Sequence, residues 1–244
     1  MQKREVVRYG SAPSHFVELW DADPQGPPAR GLAVTVHGGW WRDRHDLHLM
    51  DALAADLAGR GWCVANIEYR RTGGDGGGWP DTLTDALDAV AAAHAVRPAL
   101  ADLPSIAVGH SAGGQLALLT AAAGLVNAAV ALAPITDLPR CAAEGLGEDA
   151  TPLFVGTPYE DDPAPYREAS PLHRLPLGRP HLIVHGDQDQ RVPVTHSRAY
   201  VEAAKAAGDP VTYVEHAGTD HFQVVDPQHA SWAAAVGWLE NRAG

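Results

Sequence analysis

At 244 residues, 45% hydrophobic and 20% charged, the chain can bury a sizeable core and reads as one globular domain over residues 1–244. A formal net charge of −12 argues against nucleic acid or an anionic membrane surface as its main partner. Residues Met1-Gln2-Lys3-Arg4-Glu5 lack the long apolar core of a signal peptide, and no later run is long and apolar enough for a bilayer.

Only two cysteines occur, Cys63 in an expected buried strand and Cys141 in an expected irregular region. Neither has metal-site or disulfide spacing, so reduced thiols and a cytoplasmic location are expected. The Ala-, Gly-, Pro- and Arg-rich, Lys-poor composition points to a high-GC, bacterial genome.

In chain order, residues 16–20 read as an antiparallel edge strand and 32–36 as a buried strand. Residues 50–57 have an amphipathic helical pattern, 62–67 form the next strand, and 81–95 carry Leu83, Leu87 and Val90 at helical spacing. The glycine-rich run 73–78 lacks the G-x-x-x-x-G-K-[ST] phosphate signature and reads as a flexible surface loop. Strand 106–108, helix 114–119 and strand 128–132 follow.

Residues 135–177 are rich in Pro, Asp and Glu, with Phe154, Tyr159 and Tyr166 scattered among them. Such a segment after a strand end is either a small cap or lid over a site or an inert surface excursion. Strands at 182–184 and 211–214 enclose a helix at 197–207, and a last helix covers 231–241. Packing against the sheet or a homodimer interface would each use the Trp and Leu of that helix. The alternation specifies an α/β fold: a mostly parallel, doubly wound sheet with an antiparallel N-terminal edge.

Between strand 106–108 and helix 114–119 stands Gly109-His110-Ser111-Ala112-Gly113, a G-x-S-x-G pentapeptide. A sharp strand-to-helix turn there presents the serine hydroxyl above a helix N-terminus. A serine is a poor nucleophile at neutral pH and needs a base, an acid to orient that base, and donors for the oxyanion. The acid comes from His185-Gly186-Asp187-Gln188-Asp189-Gln190-Arg191-Val192-Pro193. Asp189 is the choice, with Asp187 shaping the turn.

The base is His221, in Gly218-Thr219-Asp220-His221-Phe222, with His216 the weaker candidate. His110 adjoins the nucleophile and is expected to point away from it. His45 and His48 are spaced H-x-x-H without a convincing third ligand and are expected to be solvated helix residues, so no metal is assigned. His37-Gly38-Gly39-Trp40-Trp41, directly after a strand, supplies the Gly39 and Trp40 amides, which with that of Ala112 would form an oxyanion hole.

H-G-G-W-W, G-H-S-A-G-G-Q-L-A, G-x-x-D-x-x-V-P and G-x-D-H-F together resemble the α/β-hydrolases. Within them the chain is similar to the kynurenine formamidase (arylformamidase)-like branch and its bacterial esterase relatives, from Leu32 to the last helix. The resemblance implies a cofactor-independent serine hydrolase of small carboxylic esters acting through an acyl-enzyme. The alternatives are an arylformamidase acting on N-formylkynurenine-like aryl formamides and a non-catalytic hydrolase-like ligand-binding protein. The formamidase-type H-G-G-x-W loop, matched at Trp41, implies an aromatic pocket of Trp40, Trp41 and Phe222, with Phe154 from the segment 135–177.

Overall fold

Continuous apolar runs become the parallel centre of a sheet, because only a strand covered on both faces can be apolar at every position. The computed structural model describes residues 4–22 and 28–241; Met1–Lys3, within the stretch 1–5 read for a signal peptide, lie outside them. Strands β3 (Leu32–Val36), β5 (Ser105–His110), β6 (Ala128–Leu132) and β7 (His181–Gly186) are buried at every residue. β4 (Cys63–Ile67) pairs parallel with β3, and β8 (Val211–His216) closes the far edge against β7.

Two further strands, β1 (Arg4–Arg8) and β2 (Phe16–Trp20), run antiparallel. Among the described residues the sheet has eight strands in the order β1-β2-β4-β3-β5-β6-β7-β8. The sequence places 16–20 at the edge; instead β2 lies between β1 and β4. Arg4-Glu5-Val6-Val7-Arg8 escapes pattern reading because it is mostly exposed, with charged residues outnumbering apolar ones.

Alternation along each strand divides the core. Leu32, Val34 and Val36 face helices α2 (Asp81–Val96), α3 (Ala112–Ala122) and α7 (Val194–Ala206). Ala33 and Val64 face α1 (Asp51–Gly59) and α8 (Ala230–Glu240). Trp232 and Leu239 of α8 are buried in that second layer, so they pack on the sheet.

The segment 135–177 folds into α4 (Leu138–Ala143), α5 (Ala150–Val155) and α6 (Ala164–Glu168). Their apolar faces form a third cluster with Trp40 and Trp41, beyond the carboxyl ends of the strands. Cys141 is therefore buried in a helix, not in irregular chain. The glycine-rich run 73–78 is tied down as well. Asp75 pairs with Arg71, and the Gly74 amide donates to Asp43 Oδ2.

Candidate active site

β5 ends at His110, and the chain reverses into α3 through a single residue, Ser111, at φ 54° and ψ −118°. A non-glycine residue in that region costs about 1–3 kcal/mol and persists only where its surroundings enforce it. Here the Ser111 amide donates to Leu132 O, while Ser111 O accepts from the amides of Gly114 and Ile135. The flanking glycines are required by contact. A Cβ on Gly109 would stand 2.0 Å from Gly113 O, and one on Gly113 would stand 2.1 Å from Val36 O. The motif thus lets α3 start against the end of β3, with the Ala112 amide free at its positive end.

Asp189 follows β7, and His221 follows β8. The structure brings them together: His221 Nδ1 lies 2.6 Å from Asp189 Oδ2, and both side chains are buried. Asp189 accepts only, so His221 carries its proton on Nδ1 and leaves Nε2 as the basic nitrogen. Ser111 and His221 line one cavity, and no hydrogen bond joins their side chains. Asp187 stays at the surface and accepts from the Gly218 amide, as a turn former does.

The Asp189 carboxylate is over-determined. Its Oδ1 accepts from the amides of Arg191 (2.7 Å) and Val192 (2.9 Å). Its Oδ2 is shared between His221 and His185 Nε2 at 3.0 Å. Burial pushes this carboxyl up, but the hydrogen bonds from His185 and His221, with the amide of Val192, prevail and hold it well below the usual carboxylate range. His185 carried no signal of this role in the sequence. Its Nδ1 accepts from Ser197 Oγ, which turns Nε2–H towards Asp189. His110 lines the same cavity as Ser111, and its Nε2–H donates to His221 O at 2.9 Å. Burial, then the neighbouring His221, pushes the His110 imidazole down to about 3.

The loop after β3 is built from left-handed residues: Gly39 at φ 115°, then Trp40 and Trp41 both at φ 54°. Its first residue is clamped. His37 Nε2 lies 2.8 Å from Glu68 Oε1, its ring stacks on Tyr69, and Tyr69 Oη donates to His37 O. Trp41 is the second anchor, donating Nε1–H to Gln115 Oε1 at 2.9 Å. Gln115 passes the link on, through Nε2–H to Ala169 O. Arg42 then binds Glu148 and the carbonyl of Gly147, stapling the loop to the segment 135–177. Among the described residues the amides of Gly39, Trp40 and Ala112 have no acceptor, so all three remain available beside Ser111.

The cavity at Ser111 has a volume of about 330 Å³. Trp40, Leu49 and Phe222 supply its apolar wall, and Arg44, His45 and Arg191 its polar one. Trp41 and Phe154, expected in the pocket, do not line it. They are 0% and 1% exposed and stack on each other at 4.1 Å, as the mortar between loop and segment. The Gln115 bond and the Phe154 stack withdraw Trp41, while Trp40 stays in the cavity wall.

His45 is likewise a cavity residue. His48 lies apart, within reach of Asp51 and Glu18, so acidic neighbours do exist there. The Arg4 guanidinium pairs with both of those carboxylates and balances them. Arg191, two residues after Asp189, was legible as a neighbour of the acid. Arg44 and Leu49 carried no signal.

The BD-FAE family model matches residues 23–204. The chain is 28% identical to the probable carboxylic ester hydrolase LipM of Mycobacterium tuberculosis, over 93% of this chain and 57% of that protein. It therefore spans little more than half the length of that relative. A truncated carbohydrate esterase from gut microbiota superposes with a TM-score of 0.84 at 17% identity, covering 99% of this chain and 96% of the other. The thermophilic esterase Est2 of Thermogutta terrifontis superposes with a TM-score of 0.76 at 23% identity, covering 98% and 90%.

Proposed function

The chain belongs to the BD-FAE family, an α/β-hydrolase esterase family, and we propose that it is a serine hydrolase that cleaves small carboxylic esters. The observation that carries the reading is the buried Asp189–His221 pair, at 2.6 Å, opening into the same cavity as Ser111 on its strained turn.

In this mechanism substrate binding brings Ser111 Oγ within hydrogen-bond reach of His221 Nε2. Oγ attacks the ester carbonyl as Nε2 takes its proton, and Asp189 stabilises the resulting imidazolium. The amides of Gly39, Trp40 and Ala112 receive the oxyanion; one such donor is worth about 3 kcal/mol of transition-state stabilisation. Collapse breaks the bond to the alkoxide, which leaves with the proton from His221. Water then gives a proton to His221 and attacks the acyl-enzyme, and Ser111 regains its proton as the acid departs.

The apolar wall of Trp40, Leu49 and Phe222 supports short acyl chains. The Arg42 staple supports reading 135–177 as a cap anchored over the oxyanion loop. The arylformamidase alternative rests on the H-G-G-x-W loop. The withdrawal of Trp41 takes the residue that matches this loop pattern out of the cavity wall, which weakens the alternative.

A fluorophosphonate probe is expected to label wild type and not Ser111→Ala, and para-nitrophenyl acetate hydrolysis to vanish in that variant with its thermal melt retained. A folded wild type that resists the probe would favour a ligand-binding protein instead. Turnover of N-formylkynurenine at a rate above that of phenyl acetate would favour the formamidase.

A further inference from the structure

We infer that the site is built for esters that carry a carboxylate beside the scissile bond, with Arg44 and Arg191 as the groups that receive it. The inference rests on the esterase reading and narrows its substrate class.

The cavity at Ser111 adjoins a second one of about 250 Å³, and the two share Trp40, Arg44 and Arg191 in their linings. Both guanidiniums are exposed into this groove, and among the described residues neither has a side-chain hydrogen bond or ion pair. Arg42, two residues before Arg44, is by contrast fully engaged by Glu148 and the carbonyl of Gly147.

No carboxylate lines the cavity at Ser111. Among the described residues the one acid in the adjoining cavity is Glu148, hydrogen-bonded to Arg42 at 2.9 Å; Arg44 and Arg191 act on it only through their charge, without a hydrogen bond or ion pair. In a chain with 30 Asp and Glu against 18 Lys and Arg, a groove with two uncommitted arginines and no uncommitted acid runs against the overall charge. Its local potential attracts anions that the rest of the surface repels. His45, in the same wall, registers that field: burial, then the Arg44 charge, holds its imidazole below the usual range.

Guanidinium is the side chain best matched to a carboxylate, which it meets with two parallel N–H bonds. Trp40, Leu49 and Phe222 accept the apolar link between that anion and the ester. Two ester types carry such an anion: a half-ester of a diacid, on the acyl side, and an ester of an alcohol that bears a carboxylate.

Two matched pairs of substrates separate these cases. On the acyl side, the mono-para-nitrophenyl ester of glutaric acid is compared with para-nitrophenyl hexanoate. On the alcohol side, para-acetoxybenzoate is compared with para-acetoxybenzamide. The readout is the charged-to-neutral ratio of kcat/KM, in which any general loss of activity cancels.

Wild type is expected to favour the charged member of one pair by about tenfold or more, a preference that shrinks as ionic strength rises. The double variant Arg44→Gln, Arg191→Gln is expected to bring the ratio to one or below. Preference for the neutral member in both pairs, or a ratio unchanged in the double variant, would overturn the inference. If wild type hydrolyses none of the four, the esterase reading fails separately. Calorimetry with glutarate then decides on the clamp: tighter binding to wild type than to the double variant supports it, and equal binding overturns it.

Discussion

Replacing Asp189 with Asn changes one oxygen to an amide nitrogen and removes one charge, yet its effect is set by four neighbours. Oδ1 accepts two backbone amides, from Arg191 and Val192, and these cannot become acceptors. The Asn oxygen must therefore stay at Oδ1, and its NH₂ replaces Oδ2 against His221 Nδ1 and His185 Nε2. His221 can meet that NH₂ only by moving its proton to Nε2, where it faces Ser111 as a donor and no longer as a base.

A wrong tautomer in such a triad lowers kcat by about 10⁴, equivalent to roughly 5 kcal/mol. His185 Nε2–H is held also by Val192 O, so the new NH₂ opposes it donor to donor, costing about 1–2 kcal/mol of stability. The assay is kcat for para-nitrophenyl acetate alongside a circular-dichroism melt, with Asp187→Asn as the surface control. A folded Asp189→Asn enzyme within tenfold of wild type, or an equal loss in Asp187→Asn, would refute the tautomer argument.

Gly113→Ala places a Cβ 2.1 Å from Val36 O and 2.3 Å from His37 O, both backbone, and should cost about 3 kcal/mol or more in a urea melt. Trp41→Phe removes the bond to Gln115 and should cost about 1–2 kcal/mol with little change in KM. A KM rise equal to that of Phe222→Ala would put Trp41 back in the substrate's path. His110, lowered from 6.5 to about 3 by burial and then by His221, makes stability pH-dependent. The unfolded chain takes up this proton first as pH falls, so stability is full above the unfolded value and is lost between it and about pH 3. At about pH 4.5 the contribution is roughly 2–3 kcal/mol, and His110→Gln should flatten the wild-type slope by that much. An unchanged slope would mean that the histidine is not held neutral.

What the sequence determined is what local pattern can encode. Short, nearly continuous apolar runs rich in β-branched residues, such as Leu32-Ala33-Val34-Thr35-Val36, read as central strands, and the residues just after their ends carry the chemistry. Ser111 and Asp189 were legible because each follows such a strand within a few residues, and His221 because it stands in a G-x-D-H-F turn after the edge strand β8. The opening strand at Arg4 was not, because an exposed edge carries no apolar alternation to read.

Only the tertiary structure decided which of two adjacent tryptophans meets the substrate. Trp40 and Trp41 are adjacent and have the same φ, but Gln115 and Phe154, distant in the chain, claim one and leave the other in the cavity wall. The same holds for His185 behind Asp189 and for Arg44 and Arg191 across the groove. Hydrogen bonds and charges act through space, so a side chain's task depends on what the fold sets opposite it. That partner is absent from any window of sequence.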